Sequence, residues 1–398
     1  MLDLAKLAGQ IPEMGQHLNK EAIASRQRLE NAQILLAQSQ NKLTLLKRLQ
    51  EDWGDRFIFA AAIPVEALDT AINIDPSPES HTVFATDGSQ ISPSHHEIAY
   101  CYLINVGRIM LHYGQSLHPL LDSLPEVFYR PEDLYISKKW GIRTDEWMGY
   151  RRGVSEVESL ADMACRWVLP PGSHQNTPNL ALMDGSLIYW FLEGLPSEAR
   201  EKILTPILEA CQKLETTKIP YIGYLSSPRS VEAVNFLRLQ ACPYNFPNCV
   251  VECGQQEAKN PCQIIDPLRD ATLWGTLLEP GQRGALWKSS SHILSLYPDS
   301  LRVYFCYVNV GTEIARVEFP AWLVENKPLF NQTLSIIFTQ VNKGYGYPIA
   351  LSEAHNQAVI KGGDRRRFFA FLEQEMIKAG LKNVGVSYKE TRKRGSIA

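Results

Sequence analysis

Two segments share one design, and together they constrain this chain more than any other feature. In VFATDGSQ (83–90) and LALMDGSL (180–187) an apolar strand runs directly into Asp-Gly-Ser. An ionised Asp at the buried end of a strand is costly unless a cation balances it. A divalent metal ion is the natural balance. Gly88 and Gly185 are expected to turn the backbone sharply past the ion. A single Asp-Gly would read as an Asx turn that ends a strand. Two apolar-strand–Asp-Gly-Ser units on one sheet read instead as a metal site, with Asp87 and Asp184 as ligands.

The order of elements around them extends this reading. A strand carrying Asp87 is followed by two antiparallel strands, a helix with a Glu, the strand carrying Asp184, and a further helix. That is the succession of a ribonuclease H-like α/β fold, a mixed sheet flanked by helices. There, carboxylates converge on metal ions that activate a water and stabilise the leaving oxygen of a phosphodiester. Glu156 shares a helical edge with Leu160, Met163 and Trp167, whereas Glu158 faces Asp162 and Arg166 on a solvated flank. Glu156 is therefore the expected ligand, with Glu158 in reserve. The fourth candidate is His355, in ALSEAHNQAVIKGGDRRRFF (350–369). A neutral imidazole there suits manganese or serves as a general base near neutral pH.

Residues 16–52 carry apolar residues at helical spacings with no Pro or Gly, and predict one long N-terminal helix. It is either packed on its own domain or an arm for dimer and partner contact. Strands are expected at 81–87, 98–106 and 109–113, with a tight turn at 106–108, and residues 115–150 read as an irregular connection. A helix then carries Val154, Val157 and Leu160. Further on come a strand ending at Asp184, a helix over 196–216, a strand over 219–225 and a hairpin over 301–319. Helices over 328–342, 348–361 and 364–380 close the fold. The expected division is a helical arm over 1–55, one elaborated domain over 80–385 with a cysteine-bearing insertion at 242–262, and a basic tail over 386–398.

With 40 Lys and Arg against 43 Asp and Glu, net charge is −3. Any nucleic-acid surface must therefore be local. Basic residues gather at Lys361, Arg365, Arg366 and Arg367, then at Lys389, Arg392, Lys393 and Arg394. The first group is placed to hold phosphates beside His355. Tyr345 and Tyr347, in a glycine-flanked loop, are the better placed pair of base-stacking candidates, with Trp140 and Trp147 behind them. No apolar run approaches the ~20 residues of a membrane span, and the N-terminus lacks the order of a signal peptide, so the chain is expected in the cytoplasm. Its eight cysteines are then thiols or metal ligands. Cys242, Cys249, Cys253 and Cys262 fall in the pattern C-x6-C-x3-C-x8-C. They suit a structural zinc site or an iron–sulfur cluster. Cys101, Cys165, Cys211 and Cys306 read as core.

The chain resembles NurA-type nucleases. The resemblance rests on ATDGSQI (85–91), Glu156 in a helix after Arg151-Arg152, LMDGSLIYW (182–190), YIGYLSSPRS (221–230) and ALSEAHNQAVI (350–360). It implies a manganese-dependent 5′-to-3′ DNA exonuclease and single-strand endonuclease, with magnesium as a substitute metal. It also implies a ring-like homodimer and work with a HerA-type hexameric DNA translocase in double-strand break repair. The family's acidic ligands fall on Asp87, Glu156 and Asp184, and its histidine on His355. Members often carry a Lys after the fifth strand; here Arg229 stands in that region as the candidate phosphate contact. A confined basic lining in an acidic exterior favours single-stranded DNA. The rival readings are an RNA- or junction-cutting nuclease with the same metals, and a catalytically idle scaffold that binds DNA or a motor.

Overall fold

The computed structural model describes residues 3–380 apart from 10, 95–96, 171–173, 175 and 254–259. The expected tail over 386–398, with Lys389, Arg392, Lys393 and Arg394, lies outside the described residues. The chain forms two compact units. One comprises residues 1–75, 224–294 and 302–321, and the other 76–223, 295–301 and 322–398. The strands in chain order are β1 (Ile63–Pro64), β2 (Ile72–Asn73), β3 (His81–Ile91), β4 (Tyr102–Tyr113), β5 (Leu120–Phe128), β6 (Asn179–Asp184), β7 (Tyr221–Leu225), β8 (Gln282–Arg283), β9 (Trp287–Lys288), β10 (Val303–Asn309) and β11 (Ile314–Pro320). The longer helices are α1 (Ile11–Asn41), α2 (Leu43–Trp53), α3 (Thr144–Val168), α4 (Ser197–Thr216), α5 (Lys327–Lys343), α6 (Ile349–Ala358) and α7 (Gly362–Lys378).

In the unit built around 76–223, strands run in the order β5-β4-β3-β6-β7. The first half of β3, HTVFAT, is buried throughout, as a central strand covered on both faces must be. β4 pairs with it antiparallel, with Asp87 opposite Gly107. β6 pairs with it parallel, up to Thr86 opposite Met183. Asp87 and Asp184 therefore follow in step at the same ends of neighbouring strands. The expected turn at 106–108 does not exist: β4 runs straight through it, and the third strand is β5, inside the supposed connection. Gly107 is there for packing instead. A Cβ on it would lie 2.4 Å from the carbonyl oxygen of Ala354 and 2.5 Å from the nitrogen of Ala358. The missing side chain thus lets α6 rest directly on β4. Two side chains then secure the end of that helix, as Ser89 Oγ and Asn105 Nδ2 (2.8 Å) both donate to the Ala358 carbonyl. Such bonds satisfy a carbonyl that a helix end leaves open. On α3, Thr86 Oγ1 donates to the Glu156 carbonyl at 2.9 Å. β5 is joined to β4 by a two-pronged pair of Arg108 with Asp122, at 2.9 and 2.6 Å.

In the other unit, β10 and β11 form the expected hairpin. β9 and β8 pair on β10, and β1 and β2 pair on them. The N-terminal helix breaks between Asn41 and Leu43 into α1 and α2. Ala32, Leu35 and Leu36 of α1 and Leu46 of α2 join a core of Trp274, Trp287, Phe236 and Phe305. The first half of α1 is different, since Ile11, Met14, Leu18 and Ile23 are exposed. A fully buried guanidinium, Arg316, is paired with Glu318 at 2.7 Å and stands 3.6 Å from Glu232. Among the described residues no helix is long and apolar enough to cross a membrane.

Substituting Gly107→Ala should cost about 3 kcal/mol of stability, because helix backbone cannot move aside for a methyl group. In contrast, Gly149→Ala in α3 meets nothing within 4 Å. It should gain roughly 0.5–1 kcal/mol from helix propensity. Urea denaturation of the two variants measures both effects.

Candidate functional site

The site assembles at the ends of β3 and β6. Gly185 has a φ of +103° and turns the chain after Asp184, as expected. Gly88 does not turn, for β3 continues to Ile91. Its role is room: a Cβ there would lie 2.3 Å from Glu156 Oε1 and 2.7 Å from Arg152 Cγ. The Glu156 carboxylate thus lies against the strand backbone one residue past Asp87, and the Gly88 N–H donates to it. From α6, His355 Nδ1 reaches Asp87 Oδ2 at 2.7 Å. The imidazole is two-thirds exposed (67%), while Asp87 is only 20% exposed. Asp184 accepts a hydrogen bond from the Tyr347 side chain. The four residues expected as ligands, Asp87, Glu156, Asp184 and His355, are therefore brought to one place.

The electrostatics of that place favour a cation. Burial pushes the Glu156 carboxyl up to about 7; Arg152 opposes the shift, and the charges of Asp87 and Asp184 add to it. Burial also raises Asp184, against the Tyr347 hydrogen bond and with the Asp87 charge behind it. Like charges that share a site behave in this way. Among the described residues, however, no three His, Cys, Asp or Glu side chains stand close enough to enclose one metal ion. Each acid instead has a partner inside the protein. Arg152 Nε stands 3.2 Å from Glu156 without an aligned hydrogen bond, His355 holds Asp87, and Tyr347 holds Asp184. Three carboxylates and an imidazole are a donor set that suits manganese or magnesium. Arg152 was missed as a functional residue, although its i, i+4 spacing to Glu156 was a usable signal. The hydroxyl bond from Tyr347 to Asp184 had no signal in sequence.

Around the cluster, Tyr345 is 95% exposed and has a φ of +56°, an unusual backbone state for a bulky residue. Lys361 and Arg366 are exposed on and before α7. Arg365 is committed elsewhere, donating to Glu97 at 3.2 Å and lying over the Phe369 ring. Arg367 stands 3.8 Å from Asp364. Trp147 is a correction: it is 3% exposed, so it is core and not a stacking platform, and Trp140 packs against it while donating to Glu198. Glu158, the reserve ligand, is exposed on α3. Arg229 is exposed and belongs to the other compact unit, as do Cys242, Cys249, Cys253 and Cys262. Those four thiols line a single pocket. All eight cysteines are free.

Fold and site define a mixed α/β protein with a carboxylate–histidine cluster at the ends of two parallel strands. The model of the NurA domain family matches residues 81–360, and the chain belongs to that family. Its fold is similar to that of the NurA nuclease from Sulfolobus solfataricus, with 13% sequence identity and a TM-score of 0.51; the match covers 95% of this chain and 98% of that one. No curated protein matches the sequence.

The raised Glu156 carboxyl makes stability depend on pH. The folded protein binds this proton more tightly than the unfolded chain does, so the contribution is whole below the usual 4.5 and is lost as pH rises through about 7. The loss should be on the order of 2 kcal/mol. Denaturation in EDTA should show the protein less stable at pH 8 than at pH 5.5, and Glu156→Gln should flatten that slope. A slope unchanged in the variant would show that Glu156 does not carry the effect.

Proposed function

We infer that this protein is a metal-dependent DNA nuclease on a ribonuclease H-like sheet. The observation that carries the reading is the register of β3 and β6, which sets Asp87 and Asp184 side by side with Glu156 and His355 against them. The strand order β5-β4-β3-β6-β7, with β6 parallel to β3, supports the ribonuclease H-like assignment. The NurA nuclease similarity supports the activity. Asp87, Glu156 and Asp184 would hold the ions through carboxylate oxygens and His355 through its imidazole, which favours manganese over magnesium. Bound there, divalent ions supply an activated water and charge neutralisation at the cleaved phosphodiester.

The chain's own residues do the rest. Arg152 favours the charged form of Glu156 at a position where burial opposes it. Tyr347 orients Asp184, and Asp87 orients the His355 ring. The exposed Tyr345 ring offers a stacking surface to an unpaired base. Lys361 and Arg366 contact phosphates without reading sequence. Arg229 is the further phosphate contact that the family resemblance suggests. A site served by stacking and a few cations suits single-stranded DNA, cut both internally and from 5′ ends. Family likeness extends the proposal to break repair in the cytoplasm, to a homodimer, and to a HerA-type translocase that feeds DNA in. The exposed apolar residues of the first half of α1 support association with a second copy.

Cleavage of labelled single-stranded and blunt duplex DNA and RNA, with manganese, magnesium or EDTA, tests the proposal. Single-stranded DNA with manganese should be cut fastest, and EDTA should abolish cutting. Asp87→Asn and Asp184→Asn should each lower the rate at least about 100-fold with a native circular dichroism spectrum. Tyr347→Phe should cost roughly 10–100-fold through the lost support of Asp184. Arg366→Ala should weaken binding equally across sequences and reduce its salt dependence. Faster cutting of RNA would favour the ribonuclease reading, and DNA binding without any cutting the idle scaffold.

A further inference from the structure

The segment that follows Asp184 runs into three aromatic residues, Tyr189, Trp190 and Phe191, in the same compact unit as the acidic cluster. Leu187 and Ile188 before them and Leu192 after them are buried, so the segment is pinned to the core at both ends. Tyr297 braces it. Its hydroxyl accepts from the Tyr189 N–H at 3.2 Å and donates to the Leu187 carbonyl at 2.9 Å. Trp190 is nonetheless 63% exposed, and Phe191 is 40% exposed. Rings of that size lose the benefit of burial when they face water. Adjacent exposed apolar side chains on a braced frame mark a binding surface.

Tyr150 ties this surface to the acidic cluster. It lies on α3, two positions before Arg152 and six before Glu156. Its ring stacks on Phe191, with centroids 5.4 Å apart and planes 13° from parallel. Its hydroxyl donates to Glu146 at 2.7 Å, which fixes the ring. Trp190 meets Phe191 edge-on at 5.9 Å. At 1.5 Å of rise per residue, Tyr150 stands about 9 Å along the helix from Glu156. A stacked strand advances ~3.4 Å per nucleotide, so these rings lie roughly two to three nucleotides from a phosphodiester at the carboxylates. Their surroundings suit bases and not phosphates. The Glu146 carboxylate beside Tyr150 repels a phosphate, whereas the uncharged face of any base stacks on an aromatic ring.

We propose that Trp190, with Phe191 and Tyr150 behind it, is a stacking platform for an unpaired base of the strand being cut. The proposal rests on the nuclease reading and adds how the site tells strands apart. In a duplex each base is paired and stacked between its neighbours, so its face is closed to Trp190. A single strand can turn one base onto the ring. The platform therefore sets a preference for single strands without reading their sequence. It is separate from Tyr345, which belongs to the loop before α6.

Binding of labelled oligothymidine to the full-length protein in EDTA tests the platform without any cutting. Trp190→Ala should weaken single-strand binding roughly 5- to 100-fold. It should leave the salt dependence unchanged, because no phosphate contact is lost, and it should leave duplex binding unchanged. Trp190→Phe should restore part of the loss. A strand of the same length made only of abasic nucleotides should bind the wild type and Trp190→Ala alike. With manganese present, Trp190→Ala should lower the ratio of single-strand to duplex cutting. Single-strand binding that Trp190→Ala leaves intact would overturn the proposal while the nuclease reading stands. A changed oligomeric state in light scattering, with DNA binding intact, would overturn it too and make the rings a protein contact. Binding that depends on Trp190 in a protein that never cuts would uphold the platform and sink the nuclease reading instead.

Discussion

The constraint on which the functional unit depends is the crowding of three carboxylates, Asp87 and Asp184 at the ends of two parallel strands and Glu156 on the facing α3. Burial raises the Glu156 and Asp184 carboxyls; the charges of Asp87 and Asp184 add to the first, and that of Asp87 to the second. A protein without a use for that arrangement would do better with apolar residues there. The surrounding structure is organised to hold it: Arg152 beside Glu156, His355 on Asp87, Tyr347 on Asp184. Each partner comes from a different element, α3, α6 and the loop before α6, so the site forms only when those elements are docked.

Backbone proximity does the docking. Gly88 and Gly107 are diagonal neighbours across β3 and β4, Gly107 being paired with Asp87 and Gly88 with Val106. At one, the absent side chain admits the Glu156 carboxylate from α3. At the other, it admits the backbone of α6. Thr86 bonds the backbone of Glu156, and Ser89 and Asn105 bond the end of α6. Polar side chains on consecutive stretches of two strands thus place two helices against the sheet to within hydrogen-bond tolerance. Such placement is what a site needs if the distance between its groups is to hold.

The two units treat buried charge in opposite ways. Arg316 is enclosed with Glu318 and Glu232 and lies over Phe305, a closed set that leaves little for a ligand. Arg238, by contrast, lies over Phe59 and donates to Asn235, and the acidic cluster is only partly balanced by Arg152.

Much of this was legible in the sequence, because it depended on local pattern. The two apolar runs ending in Asp-Gly-Ser, the helical edge of Glu156 and the helix around His355 each announce an element and a residue type. The twinned motif also placed the two strands in one sheet, which the parallel pairing of β3 with β6 bears out. The second and third strands were misplaced because Gly107 looks like a turn residue, and nothing local shows that a helix more than 240 residues later needs its bare Cα. Gly88 was misread for the same reason. The Tyr347 partner, the burial of Trp147 and the stacking of Arg238 on Phe59 were decided by tertiary structure alone. Residue type and spacing determine what a side chain can do, whereas its charge state, its exposure and its partner depend on what the folded chain brings against it from a distance.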